Sequence, residues 1–188
     1  VLAVSLNIVN GFTGQFSLGH AGFMAVGGYV AAAITVGIGS KYQLSGIPTW
    51  LSNQLLFAVA TVAGGVTAAI AGLVVGIPSL RLRGDYLAIV TLGFGEIIRV
   101  LIENTEAIGG ATGMVGIPRM SSLGWVLFWA GAVVVVSMRL LASTHGRALL
   151  AVREDEIAAE AMGVDTTGYK VRAFAISAFF AGVAGSLL

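Results

Sequence analysis

Apolar residues run along this chain in long blocks rather than in alternation, and the polar interruptions between blocks set where each can begin and end. Runs near 20 residues recur, the length a helix needs to cross a ~30 Å hydrocarbon core at ~1.5 Å per residue. The period-two pattern of barrel strands is missing, so the chain is expected to be all-α, a polytopic transmembrane helical bundle. Residues 1–9 read as the tail of a spanning helix, Met24 to Ile38 as a uniformly apolar run, and Leu55 to Ile77 as the clearest span. Asp85 to Glu103, Leu123 to Leu141 and Val171 to Leu188 complete the set. Two spans carry small residues every four positions: Ala60, Gly64, Ala68, Gly72 and Gly76 in one, and Ala173, Ser177, Ala181 and Gly185 in the other. That spacing lays a smooth strip on one face, where another helix can approach closely. Pro78 is expected to stop its helix. Loop 39–53, with Lys41, Pro48 and Trp50, and loop 104–122 separate the spans, and Trp125 and Trp129 suit the headgroup level.

The pattern breaks from Asn10 to Gly28. Asn10, Gly11, Thr13, Gly14, Gln15, Ser17, Gly19, His20 and Gly22 are interleaved with Phe12, Phe16, Leu18 and Phe23. Each Gly costs a helix about 1 kcal/mol relative to Ala, and backbone freed from a helix cannot face lipid. A broken or re-entrant segment inside the bundle is the expectation. Gln15, Ser17 and His20 then become candidates to line a translocation path, since nonhelical backbone at membrane depth is tolerated where it borders a water-filled cavity. The alternative is structural, with Asn10, Gln15 and His20 satisfying one another and the interrupted backbone. Further on, Glu96, Arg99 and Glu103 share one helical face at spacings of three and four. Glu96 falls about midway across the core, where ionisable groups face a partner or a cavity. It is either half of a structural pair with Arg99 or a further path candidate.

Composition places the whole chain in a membrane. Mean hydropathy is +0.94 and only 10% of residues are charged, against about 25% in soluble domains. No charge precedes Lys41, and nine of the nineteen charged residues lie between Arg147 and Arg172. Placing 79–84 and 139–172 on one side gathers Arg81, Arg83, Arg139, Arg147, Arg153, Lys170 and Arg172, against Lys41 and Arg119 on the other. The positive-inside rule therefore makes 79–84 and the charged stretch 142–170 cytoplasmic. Within that stretch Asp155 can cap a short helix from Glu156, which Gly163 ends. About two turns cannot stand alone in water. Ile157, Ala158, Ala161 and Met162 share one arc of it and Glu156 and Glu160 the neighbouring arc, a face suited to a groove edged with basic residues. An ordinary solvated loop is the competing reading. A net charge of +1 makes no case for nucleic acid, and the absence of cysteine excludes disulfides and thiolate metal sites. GxxxxGK[ST], HExxH and GxSxG motifs are absent, so this chain is expected to be no enzyme, to hold no metal or cofactor and to hydrolyse no ATP itself.

Four blocks carry a resemblance. GRALLAVREDEIAAEAMGVDTTGYKVRAFAISAFFAGVAGSL resembles the cytoplasmic coupling region of permease subunits of branched-chain amino acid ABC transporters, of the LivM type. LNIVNGFTGQFSLGHAGFMAVGGYVAA, LRLRGDYLAIVTLGFGEIIRVLIEN and GGATGMVGIP resemble further blocks of that family, in its order. The resemblance implies a single permease domain over 1–188, part of a longer chain, since the family pattern continues past both ends and the sequence opens at Val1 without a Met. It implies a coupling loop at 142–170 that docks on an ATPase subunit through the region of Glu160, Ala161 and Gly163, beside Asp155, Glu156 and Ile157. The partners implied are two ATP-binding cassette subunits, which bind the ATP, a second permease, an external or periplasmic solute-binding protein, an amino-acid substrate and membrane lipid. The implied location is a bacterial or archaeal plasma (inner) membrane. Permeases for urea or short amides look similar in these blocks and form the nearest rival; an intramembrane hydrolase or a purely structural subunit stands further off.

Overall fold

The computed structural model describes residues 1–39, 49–80, 85–118 and 120–188. Among them the helices are α1 Leu2–Asn10, α2 His20–Gly39, α3 Thr49–Ser79, α4 Asp85–Glu103, α5 Leu123–Ala142, α6 Thr144–Glu154, α7 Glu156–Ala161 and α8 Thr166–Leu187. Two 3-10 turns, Glu106–Ile108 and Gly110–Thr112, join α4 to α5. No strand occurs among the described residues, and α2, α3, α5 and α8 are long and apolar enough to cross a membrane. The chain is the all-helical membrane bundle that its hydrophobic blocks require.

Helix α8 is the centre of it, packed against α3, α2 and α1, while α4 lies on α2 and α5 stands at the periphery. Three glycines allow this. Gly27 of α2, Gly64 of α3 and Gly182 of α8 meet almost backbone to backbone. A Cβ on Gly64 would lie 2.5 Å from the Gly27 carbonyl oxygen, and one on Gly182 would lie 2.7 Å from the Gly64 oxygen. Lipid tails are as apolar as the side chains, so helices associate by such close dispersion contact rather than by leaving water. The α3 strip Ala60, Gly64, Ala68, Gly72 and Gly76 is buried throughout, whereas Val59, Val62, Val66, Ile70 and Val74 on its other face are exposed, as a lipid-facing surface should be. In α8 the strip residues Ala173, Ser177 and Ala181 are also buried and Gly185 packs on the Met24 carbonyl of α2, while the close contact with Gly64 and Ala68 of α3 falls on Gly182, one position off the strip. A helix enclosed on most sides has no single packing face for a four-residue period to mark.

The same close contacts give the helix directions. Gly76 meets Phe174, Gly72 meets Ala178 and Gly64 meets Gly182, so α3 runs antiparallel to α8. Gly27 and Gly28 meet Gly182 and Gly185 in ascending order, and Gly19 and Gly22 meet Thr91 and Gly95 likewise, so α2, α4 and α8 run parallel. The end of α3 and the starts of α2, α4 and α8 therefore gather at one end of the bundle, together with α6 and α7. This brings the residues that flank 81–84 to the same end as the charged stretch. Arg81, Arg83, Lys41, Pro48 and Arg119 lie outside the described residues.

Several boundaries differ from the expected ones. The break is confined to residues 11–19, because α2 passes unbroken through Gly22, Gly27 and Gly28. Those glycines make room for Gly95, Gly182 and Gly185 instead of loosening the helix. Helix α3 begins at Thr49, within the expected 39–53 loop, so Trp50 is helical. It also continues past Pro78 to Ser79, whose Oγ donates to the Val75 carbonyl at 2.6 Å and so satisfies an acceptor in the final turn. Helix α8 starts at Thr166 rather than Val171, with Asp165 accepting from Gly168 N at 3.0 Å. The largest difference is α6, which occupies part of the expected loop. Ser143 caps it by accepting from Gly146 N at 3.1 Å, and Leu149 and Val152 bury its inner side.

Replacing Gly27 or Gly182 with Ala is expected to overpack the junction and destabilise the bundle by ~1–3 kcal/mol. Gly131→Ala on α5, where a new Cβ meets nothing within 4 Å, should not lower stability and should raise it by up to about 1 kcal/mol, Ala being the better helix former. Thermal unfolding of the three variants in one detergent checks this, and a Gly27→Ala protein that melts with wild type would count against the junction.

Candidate functional site

The break between α1 and α2 is held by groups from three helices. Thr13 N and Gln15 N donate to the Val9 carbonyl at 3.3 and 3.4 Å, which extends the end of α1. Asn10 Oδ1 accepts from Ser17 N at 3.4 Å, and Leu18 N donates to Thr91 Oγ1 of α4 at 3.1 Å. From α6, Arg153 Nη1 donates to the Gly11 carbonyl at 3.1 Å. Gly14 has φ +67°, a left-handed conformation that glycine adopts freely, and a Cβ there would lie 2.8 Å from Arg153 Cγ. The segment sits in the half of the bundle nearer the charged stretch: Thr91 is six residues into α4, about 9 Å along its axis.

Its candidate path residues divide into two kinds. His20 is 6% exposed and its Nε2 lies 2.9 Å from Ser5 Oγ. Ser5 Oγ directs its own proton to the Leu2 carbonyl at 2.8 Å, which makes His20 the donor of the pair. Ser177 Oγ of α8 donates to the Ser5 carbonyl at 2.5 Å, so a buried polar chain ties α8, α1 and α2 together. Gln15 Oε1 and Ser17 Oγ, by contrast, are buried without a hydrogen-bond partner among the described residues. Asn10, Gln15 and His20 do not satisfy one another.

Glu96, Arg99 and Glu103 share a face of α4, as their spacing implies. Arg99 bridges both acids, with Nε 2.8 Å from Glu103 Oε1 and Nη1 3.5 Å from Glu96 Oε1. The whole face is open: the Glu96 and Arg99 side chains are 60% and 66% exposed. These three line a cleft of about 330 Å³ between α2 and α4, together with Leu18 and Gly19 from the end of the break and Gly22 of α2. The structure thus brings Glu96 beside the break but not beside Gln15, Ser17 or His20, which do not line that cleft.

In the charged stretch α7 forms where the sequence places it. Asp155 Oδ1 accepts from Ile157 N at 2.9 Å and Ala158 N at 3.0 Å, satisfying two donors that a helix start leaves free. Gly163, at φ +82°, ends the helix with its N–H on the Glu160 carbonyl at 2.9 Å. Glu156 and Glu160 are turned back into the chain. Glu156 Oε2 lies 2.6 Å from Lys170 Nζ of α8, whose side chain is 1% exposed, and Glu160 Oε1 accepts from Thr166 Oγ1 at 2.9 Å. Ala159 is buried, while Ile157, Ala158, Ala161 and Met162 are all exposed. The apolar arc is therefore open and the two acids beside it are engaged internally.

Lys170, Arg153, Thr91, Ser5 and Ser177 all hold the site and were not singled out from the sequence for these roles. Each meets its partner across 14 to 172 residues of sequence, so no local spacing signals the contact. No group of three or more His, Asp or Glu among the described residues is placed to hold a metal ion.

A family model described as branched-chain amino acid transport system / permease component matches residues 1–188. The high-affinity branched-chain amino acid transport system permease proteins LivM of Salmonella typhimurium and Escherichia coli are each 39% identical over 222 aligned positions, covering all of this chain and 49% of the relative. The probable branched-chain amino acid transport permease protein LivM of Methanocaldococcus jannaschii is 30% identical over 217 positions, all of this chain and 63% of that protein. No solved structure matches. The chain spans about half the length of the two bacterial relatives. With the model matched from end to end and a bundle of membrane-length helices in place, the chain belongs to the family of branched-chain amino acid transport permease components.

Proposed function

We propose that this chain forms the membrane-spanning permease part of an ATP-driven (ABC) importer of branched-chain amino acids, in a bacterial or archaeal plasma membrane with 79–84 and 142–170 in the cytoplasm. Two ATP-binding cassette subunits bind and hydrolyse the ATP, a second permease completes the translocation path, and an external solute-binding protein delivers the amino acid at the opposite end. The observation that carries the docking is the open arc of α7. Ile157 is 66% and Met162 84% exposed, on a helix whose acids are already engaged by Lys170 and Thr166. An apolar face left open on an anchored helix suits a protein groove. The docking set Asp155, Glu156, Ile157, Glu160, Ala161 and Gly163 then divides by role: Ile157 and Ala161, with Ala158 and Met162, meet the ATPase, and the others set the helix that presents them.

For the path, Gln15 and Ser17 offer buried unpartnered polar atoms, and Glu96 faces an open cleft. Helix α4 is not one of the four helices apolar enough to cross a membrane, and its charge triad, unfavourable against lipid, faces the passage or the second permease. His20 holds α2 to α1 and positions the break. The branched-chain cargo is supported by the names of all three relatives, and this favours it over urea or short amides.

Three measurements test this reading. In vesicles carrying the complete transporter, uptake of radiolabelled leucine should be competed by isoleucine and valine and not by urea; competition by urea would move the assignment to the amide importers. Ile157→Asp together with Met162→Glu should leave insertion and melting temperature unchanged yet abolish copurification of the ATPase subunits. Glu156→Gln strands the buried Lys170 ammonium and is expected to cost about 3 kcal/mol of stability, read as a lowered melting temperature in detergent. An ATPase that still copurifies with the Ile157/Met162 variant would remove α7 from the interface.

A further inference from the structure

Two groups of the charged stretch reach into the bundle, and only one of them touches the break. Lys170 belongs to α8 itself. Arg153 belongs to α6, two residues before the cap of α7, and its guanidinium reaches the break from there. We infer that Arg153 is the positioning residue that carries displacement of α7 into the membrane break, an inference that rests on the docking role proposed for α7.

Three observations support it. First, the contact is made for a side chain of this shape: Nη1 donates to the Gly11 carbonyl at 3.1 Å, while the aliphatic stem lies where a Gly14 side chain would otherwise be. Gly14 is left-handed, so the chain turns around the arginine. Second, the guanidinium is also paired with the neighbouring Glu154, whose Oε1 lies 2.5 Å from Nη2 and 3.2 Å from Nε on the exposed side. A planar fork held at two nitrogens transmits direction better than a single flexible ammonium does. Third, the joint between Arg153 and the docking helix is short. Asp155 is extended, with φ −155° and ψ 107°; its N–H donates to the Ala151 carbonyl of α6 at 3.1 Å and its carboxylate holds the first turn of α7, so a shift of α7 passes to Arg153 through one residue bonded to both helices.

At the other end of the break, Leu18 N is hooked to Thr91 of α4, and Gln15 and Ser17 lie between the two attachments. A pull at Gly11 therefore reorients the two unpartnered path candidates before it reaches α4. The side chains that meet the passage and the helix that meets the ATPase are linked through one guanidinium.

The test uses the complete transporter in proteoliposomes, with Arg153→Ala, Arg153→Lys and Glu154→Ala. Arg153→Ala should keep the ATPase subunits bound and hydrolysing ATP, but lose leucine uptake and the stimulation of hydrolysis by loaded binding protein by roughly an order of magnitude. Arg153→Lys, which refills the space beside Gly14 and keeps one donor, should recover part of both, and Glu154→Ala should fall between Lys and wild type. Because the chain has no cysteine, a single Ser17→Cys reports the break directly. Its rate of thiol labelling should change on trapping the ATP-bound state when Arg153 is present and stay constant in Arg153→Ala, a readout that mere loss of stability would not give. Uptake within about two-fold of wild type in Arg153→Ala, with the ATPase bound, overturns the inference while leaving docking intact. ATPase subunits that fail to copurify even with the wild-type chain overturn the docking reading and the inference with it.

Discussion

Backbone polar groups that leave a helix inside a membrane must find partners within the protein, and the nine residues between α1 and α2 make this demand on the whole bundle. The suppliers come from three helices. The end of α1 accepts from Thr13 and Gln15, Asn10 takes the N–H of Ser17, α4 offers Thr91 to Leu18, and α6 sends Arg153 to the Gly11 carbonyl. The chain thus returns to the break twice, from α4 and from α6. Strong, directional contacts of this kind hold a nonhelical segment in one shape, and they also tie its shape to the positions of the helices that supply them.

Close packing sets how those helices can sit. With Gly27, Gly64 and Gly182 in contact, α2, α3 and α8 form a unit whose spacing is fixed by backbone rather than by side chains. The buried chain Ser177, Ser5 and His20 adds α1 to it. Helix α4 is attached more lightly, through Gly19 against Thr91 and Gly22 against Gly95, and carries its charged face outward. The molecule therefore divides into a tightly packed group around α8 and a separate α4 whose exposed charges require a neighbour or water, with the break between them.

What the sequence made legible follows from range. Helix content, the spans and the short helix after Asp155 are written in local signals: apolar run length, a capping aspartate, a glycine at the helix end. The Glu96, Arg99 and Glu103 face is local too, since spacing alone puts the three on one side of a helix. Helix α6 escaped because its interior is polar on average and only Leu149 and Val152 face inward, too few for a hydrophobic block to stand out. Glycine composition misled at Gly22, Gly27 and Gly28, where it marks close approach between helices rather than a break. The acids of α7 were read correctly as neighbours on a wheel but not as partners of Lys170 and Thr166, because a helical wheel holds no information about α8.

The ion pair between Glu156 and Lys170 has a role that stability does not explain. Burying two charges gains little net free energy over an apolar contact of the same size, since desolvation offsets most of the attraction. What the pair supplies is orientation. Helix α7 has six residues, too few to hold its own shape in water, so the direction in which Ile157 and Met162 point depends on what anchors the opposite side. An apolar contact would allow that helix to rotate; a 2.6 Å contact between two named atoms does not. Lys170 lies one turn into α8, the most enclosed helix of the bundle, so the open arc of α7 is referenced to the core rather than to the loops around it. On the docking reading proposed for α7, a partner seated on this arc would act on α8 through Lys170 and on α6 through the extended Asp155, two separate routes from one helix.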